Sequence, residues 1–175
     1  IFGFEESYGY LKGTYARDKD AVCAAMLATE MAAYYKAKNM TLYDALQKLY
    51  EKYGYYGEKS QDVYMEGLDG IERRTNTMKN LRVNPPKAIG GSPVAFVGDY
   101  LAGTITTLTD GSVKPTGLPK SDVLYYGLAD GDVAVIRPSG TEPKIKIYYL
   151  ASAKDAAALA AKLATYAAET DKLVK

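Results

Sequence analysis

The stretch Arg137-Pro138-Ser139-Gly140-Thr141-Glu142-Pro143-Lys144-Ile145-Lys146-Ile147-Tyr148 carries the densest chemistry in the chain. A short glycine-containing loop lies between two strand-like runs, 132–136 and 145–150, both rich in β-branched residues. The loop gathers one guanidinium, two hydroxyls and a glycine whose backbone N–H a ligand can approach closely. Pro138 and Pro143 fix φ and remove donors, so they stiffen both ends. This donor set suits a tetrahedral oxyanion. Arginine binds such a group through a fork, hydroxyls donate single bonds, and successive backbone N–H groups form an anion nest. A hairpin with polar turn residues is the alternative for Ser-Gly-Thr taken alone. Arg137 at the strand mouth and the flanking prolines favour the anion.

A second group sits near the start, in Gly3-Phe4-Glu5-Glu6-Ser7-Tyr8-Gly9-Tyr10. Each carboxylate accepts more than one hydrogen bond, which matches the vicinal hydroxyls of a sugar. An acidic surface loop is the plainer reading of Glu-Glu-Ser in isolation. A glycosidase acid/base pair fits poorly, because neighbours in an extended segment point to opposite faces and cannot flank one glycosidic bond. Arg17-Asp18-Lys19-Asp20 follows closely.

The elements that hold these groups are legible in the periodicities. A strand over 1–4 precedes a loop over 5–18. A helix over 20–36 shows a stripe of Cys23, Leu27, Met31 and Tyr35. Cys23 on that stripe reads as a small core residue rather than a nucleophile. Thr41 and Asp44 form a capping-box-like start to a second helix, whose face Leu42, Leu46, Leu49 and Tyr53 runs to Gly54. The Gly- and Tyr-containing segment 54–60 reads as a connector. It places a boundary near Gly57 and divides the chain into 1–57 and 58–175. Beyond it, a strand at 62–68 leads to a helix capped at Asp69-Gly70-Ile71-Glu72, carrying Ile71, Thr75, Met78 and Leu81, and stopped by Asn84-Pro85-Pro86. Strands are expected at 94–97, 123–126, 133–137 and 145–150, with 98–121 a long loop or ragged hairpin. Ser152 and Asp155 cap a last, Ala-rich helix with Leu159, Leu163 and Tyr166 inward. Asp130-Gly131-Asp132 reads as a turn. The fold class is therefore an α/β remnant, one strand and two helices, followed by an α+β domain with a small antiparallel sheet and two helices.

Composition narrows the functions. A net charge of +1, from 22 basic and 21 acidic residues, gives no reason to expect a nucleic-acid or membrane partner. No apolar run is long enough to span a membrane, and no signal peptide is visible. A single cysteine excludes an internal disulfide and fits a reducing, cytoplasmic setting. With no histidine and one cysteine, a zinc site is not expected, and no metal ligands are assigned in this chain. The 17 tyrosines should mostly be half-buried, ring packed and hydroxyl wet.

The Arg137–Tyr148 string closely resembles the phosphate-binding loop in the last domain of the α-D-phosphohexomutases, the phosphoglucomutases and phosphomannomutases. The Glu5-Glu6-Ser7 stretch is similar to the sugar-binding loop of their third domain. Arg17-Asp18-Lys19-Asp20 resembles the Arg-(Asp/Glu)-Lys-Asp that follows it in some members. The resemblance implies that Arg137, Ser139, Gly140 and Thr141 hold the phosphate of a sugar phosphate. It implies that Glu5 and Ser7, with Glu6 as a third contact, grip ring hydroxyls. Lys19 would lie at the active site, as an acid/base or as a phosphate counter-charge. An unperturbed lysine stays protonated near neutral pH, which favours the counter-charge.

The same resemblance implies a chain that is the end of domain 3 plus domain 4 of a four-domain enzyme. That enzyme interconverts hexose 1-phosphate and 6-phosphate through a phosphoserine and a bisphosphate intermediate, with Mg²⁺ and a hexose bisphosphate activator. The family's Thr-Ala-Ser-His-Asn-like serine loop and Asp-x-Asp-x-Asp metal loop do not occur here. The chain alone is therefore expected to be inactive, with the rest of its own polypeptide (domains 1–3) as partner or a dimer of this piece in its place. Many members carry Gly-His after Glu-Glu-Ser, where this chain has Tyr8-Gly9-Tyr10. That keeps glucose, mannose and pentose phosphates open as substrates. A stand-alone, non-catalytic anion-binding or interaction domain is the rival; it would use the Arg137 loop but not Glu5, Ser7 and Lys19.

Overall fold

The structure, a computed structural model, describes residues 2–5 and 8–174. The chain divides into two compact units, 1–53 and 54–175.

In the first unit, β1 (Phe2–Phe4) pairs antiparallel with β2 (Tyr10–Lys12), so a short hairpin stands where the sequence suggested one strand and a loop. Helix α1 (Ala21–Lys36) starts at Asp20, whose Oδ1 accepts from the N–H groups of Val22 (2.9 Å) and Cys23 (3.1 Å) and so satisfies two of the orphan donors of the first turn. Helix α2 (Leu42–Tyr53) begins with the expected capping box: Asp44 N–H donates to Thr41 Oγ1 at 3.1 Å, and Thr41 N–H donates to Asp44 Oδ2 at 2.8 Å. No side chain of α1 is buried, and in α2 only Ala45 is. Cys23, Leu27 and Tyr35 are half-buried, whereas Met31, Leu46 and Leu49 are exposed. The apolar stripes exist, but a two-stranded hairpin is too small to cover them.

The second unit is built on one antiparallel sheet. Its strands are β3 (Tyr55–Tyr64), β4 (Ala88–Ile89), β5 (Ser92–Asp99), β6 (Thr104–Thr107), β7 (Val113–Pro115), β8 (Leu124–Leu128), β9 (Val133–Pro138) and β10 (Lys144–Ala153). The spatial order is β3-β10-β9-β8-β5-β6-β7, with β4 paired to β5. The connections include α3 (Gly70–Val83), between β3 and β4, and α4 (Ala156–Val174) ends the described chain. Period-2 alternation gives β9 and β10 one buried face: Ile145, Ile147, Tyr149 and Ala151 of β10 are buried. They join Met78 and Leu81 of α3 and Leu159, Leu163, Tyr166 and Val174 of α4 in a single core. Each large aliphatic or aromatic side chain so buried stabilises the unit by roughly 1.5–3 kcal/mol. The α+β class read from the sequence is the one observed.

Several local expectations differ from what is seen. Residues 55–57 are not connector but the first turn-free pairs of β3, bonded to Ala153, Ser152 and Ala151. The division between units accordingly falls at Tyr53/Gly54 rather than near Gly57. Gly57 serves packing: a Cβ there would lie 2.8 Å from Leu159 Cδ2, so a side chain would push Leu159 of α4 aside. Residues 65–68 leave the strand, with Met65 N–H donating to Pro143 O at 2.7 Å. Asp69 makes no capping hydrogen bond, and Ile71 faces outward at 70% exposure. Ser152 lies in β10 and caps nothing, whereas Asp155 does cap α4, accepting from Ala158 N–H at 2.7 Å. Residues 98–121 form the ragged hairpin, β6 with β7. Asp130–Asp132 is the β8–β9 turn, closed by Leu128 N–H donating to Asp132 O at 2.9 Å.

Candidate functional site

The residues singled out for the anion come together on the β9–β10 hairpin of the second unit. Arg137 is the penultimate residue of β9 and sits on its outward face, exposed, directly opposite Lys146 of β10. Its Nη2 donates to Tyr148 Oη at 3.3 Å, and its guanidinium carbon stands 5.8 Å from the Tyr148 ring centroid. Lys146 Nζ lies 5.3 Å from the same centroid. Two cations opposite each other destabilise a sheet unless an anion is shared between them. Asp62, the neighbour of Lys146 on β3, is bonded instead to Lys144.

The loop is closed by Ser139 N–H donating to Lys144 O at 2.9 Å and Lys144 N–H donating to Glu142 O at 2.8 Å. Ser139 Oγ accepts from Thr141 N–H (3.4 Å) and Glu142 N–H (3.3 Å), both long bonds. Gly140 and Thr141 are exposed, and the space where a Gly140 side chain would stand is empty to 4 Å. The loop's tip is therefore open to a ligand while its base is pinned.

Much of that pinning comes from Lys144. Its side chain is 8% exposed, and its ammonium is held by Asp62 Oδ2 (2.8 Å), Glu142 Oε2 (2.7 Å) and Tyr64 Oη (3.4 Å). Those hydrogen bonds, donated to Asp62 first and Glu142 next, hold its pKa well above the ordinary lysine value. The signal was available: alternation along β3 and β10 places Asp62, Tyr64 and Lys144 on one face. Lys146 is half-buried.

In the first unit, Glu5 and Lys19 are brought together, Lys19 Nζ lying 3.6 Å from Glu5 Oε1 and 2.8 Å from Asp18 Oδ1. Hydrogen bonding to Asp18, its charge and that of Glu5 raise the Lys19 pKa, and Lys19 in turn lowers that of Asp18. Gly9 packs on the lysine stem: a Cβ at Gly9 would fall 2.4 Å from Lys19 Cδ and 2.5 Å from Cγ. Glu5, Gly9, Arg17, Asp18 and Lys19 line a cavity of about 230 Å³. Glu6 and Ser7 lie outside the described residues.

Among the described residues no group of three or more His, Cys, Asp or Glu side chains is placed to hold a metal ion, so the residues present do not fit the Mg²⁺ that the resemblance implies. Among the described residues no helix is long and apolar enough to cross a membrane.

The second unit is thus an α+β domain that carries a pinned, open-tipped hairpin with an oxyanion donor set. Two family models match the chain. One is described as phosphoglucomutase/phosphomannomutase, alpha/beta/alpha domain III, over residues 1–53; the other as phosphoglucomutase/phosphomannomutase, C-terminal domain, over residues 78–166. The chain belongs to the phosphoglucomutase/phosphomannomutase family. Among its relatives are phosphoglucomutases of Staphylococcus aureus: that of strain bovine RF122 / ET3-1 is 39% identical over 148 residues, and that of strain MRSA252 is 38% identical over the same length. The match covers 85% of this chain and 27% of each relative, so the chain spans about a quarter of their length. Among solved structures, the open form of the exocytosis-sensitive phosphoprotein pp63/parafusin, a phosphoglucomutase from Paramecium, shares the fold at a TM-score of 0.64 and 20% identity, over 97% of this chain and 29% of that one.

Proposed function

We propose that this chain is the substrate-binding part of a phosphohexomutase, and that Arg137, Ser139, Gly140 and Thr141 hold the phosphate of a sugar phosphate. The observation that carries the reading is the β9–β10 hairpin, where two opposed cations, Arg137 and Lys146, flank a loop whose base is pinned and whose tip is open. An anion at that tip gains the Arg137 fork, the hydroxyls and the Thr141 N–H, and it relieves the cation–cation opposition. The long bonds to Ser139 Oγ are weak enough to be exchanged for ligand bonds.

In the first unit, Glu5, with Glu6 and Ser7 by resemblance, takes the sugar hydroxyls. Lys19 acts as a counter-charge rather than an acid/base, because Asp18 and Glu5 hold its ammonium protonated. The parent reaction is the exchange of hexose 1-phosphate and 6-phosphate, of glucose or mannose, through a phosphoserine and a bisphosphate. The chemistry that Mg²⁺ supplies in phosphoryl transfer is the neutralisation of developing phosphoryl charge. The residues of this chain bind and orient; they neither donate nor accept a phosphoryl group, so the chain by itself turns over no sugar phosphate. The single cysteine fits a reducing, cytoplasmic setting.

Titration calorimetry with glucose 1-phosphate and with inorganic phosphate separates the roles. Arg137→Ala weakens both ligands, whereas Glu5→Ala weakens the sugar phosphate and leaves inorganic phosphate unchanged. Equal affinities of Arg137→Ala and the parent for both ligands would remove the phosphate assignment.

A further inference from the structure

The β9–β10 loop has a support that the family resemblance does not assign. Arg74, on α3, donates from Nη1 to the Glu142 carbonyl at 2.8 Å. Its Nε is shut off from solvent and, among the described residues, has no hydrogen-bond partner. Arg74 also lines, with Thr75, Asp122 and Ser139, a pocket of about 180 Å³. A buried N–H without a partner costs stability, and a native structure retains one only for a reason.

We propose that Arg74 is a positioning residue for the phosphate loop. When an anion takes the Ser139 hydroxyl and the Thr141 amide, the bonds from Thr141 N–H and Glu142 N–H to Ser139 Oγ must open. What keeps the loop from collapsing is its second leg. There Glu142 O is shared by Arg74 Nη1 and Lys144 N–H, and Pro143 O is held by Met65 N–H. The first leg is held by Ser139 N–H on Lys144 O. Arg74 is the one side chain from outside the hairpin that grips the loop's backbone, among the described residues. It reaches across from a different element, so α3 fixes the loop's height above the sheet. The guanidinium is tied to the loop at one corner, through Nη1. Ordering the loop before the ligand arrives reduces the entropy lost on binding, so the grip appears as affinity.

This inference rests on the phosphate-loop reading above, and the test separates the two. The 175-residue chain, ¹⁵N-labelled, is titrated with inorganic phosphate while the amides of Ser139, Gly140 and Thr141 are followed, and amide exchange at Lys144 is measured without phosphate. Three variants are compared: Arg74→Met, which keeps the stem and loses every donor; Arg74→Lys, which keeps one donor group; and Arg137→Ala. Arg74→Met is expected to raise the phosphate Kd roughly tenfold, the scale of one hydrogen bond to a charged group, and to speed exchange at Lys144. Arg74→Lys should restore most of both. If Arg74→Met keeps the parent's affinity and protection while Arg137→Ala loses phosphate, the positioning role is wrong and the phosphate reading stands. If affinity falls but protection does not, Arg74 acts by charge alone and the positioning role is again overturned. If the parent's loop amides do not respond to phosphate, both are overturned. Should Arg74→Met fail to fold, Arg74→Gln takes its place with the same criteria.

Discussion

Replacing Asp132 with alanine tests how the second unit is held together beneath its hairpin. Asp132 is 3% exposed and sits in the β8–β9 turn. Its Oδ1 accepts from Ser152 N–H at 3.0 Å, and its Oδ2 accepts from Tyr166 Oη at 2.7 Å and pairs with Lys162 Nζ at 2.6 Å. One carboxylate therefore joins the turn, β10 and α4. On truncation, Lys162 keeps Asp130 at 2.9 Å and Ser152 O at 3.0 Å, and Tyr166 Oη keeps a longer bond to Asp130 at 3.3 Å. The group left stranded is Ser152 N–H. Two hydrogen bonds to a charged acceptor contribute about 1.5–3 kcal/mol each. Relief of the buried carboxylate's desolvation offsets part of that. The net loss is about 3 kcal/mol, a large share of a domain's roughly 5–15 kcal/mol. Asp130→Ala, at a carboxylate 35% exposed, should cost under about 1 kcal/mol. Urea unfolding followed by tyrosine emission, undisturbed by tryptophan because the chain has none, reads both. The midpoint should fall with m unchanged. If Asp132→Ala were as stable as Asp130→Ala, the idea that this buried carboxylate ties the three elements would fail.

Gly9→Ala should push the Lys19 stem aside and separate its ammonium from Glu5, lowering glucose 1-phosphate affinity without changing that for inorganic phosphate; calorimetry checks it. The pH dependence of the second unit's stability has a definite sign. Burial would raise the Asp130 pKa, but bonds from Lys162, Ser92 and the Asp132 N–H hold it below its ordinary 3.8. Its contribution is therefore full above that value and is lost as the pH falls through the lower folded-state value. Asp130→Asn should flatten urea midpoints measured between about pH 5 and pH 2. The exposed apolar faces of the first unit, Val22 at 73% and Leu49 at 49%, should bind an apolar reporter dye, and Leu46→Glu with Leu49→Glu should reduce the fluorescence gain. A coupled assay with glucose 1-phosphate, Mg²⁺ and a hexose bisphosphate should show only background turnover by the 175-residue chain.

Elements with strong local signals were legible from the sequence. The Thr41–Asp44 box, the Asp130–Asp132 turn and the inward Leu159, Leu163 and Tyr166 are set by neighbours in the chain, and they lie where periodicity and capping put them. What was missed depends on distant partners. Gly57 reads as part of a connector until α4 is seen packed on it. Hairpin β1–β2 is too short to show alternation. The grouping of Arg137, Ser139, Gly140 and Thr141 on one hairpin was legible because they are contiguous in the chain. The loop's supports were not: Lys144 is buried only because β3 brings Asp62 beside it, and Arg74 reaches Glu142 from 68 residues away.

A crystal structure of the chain soaked with glucose 1-phosphate would show whether the β9–β10 hairpin holds the phosphate of a sugar phosphate. Phosphate oxygens are expected within hydrogen-bond distance of the Arg137 guanidinium, the Ser139 hydroxyl and the Thr141 N–H, with Ser139 Oγ released from the Thr141 and Glu142 amides. Full occupancy of the ligand elsewhere, with this loop unchanged and empty, would contradict that assignment.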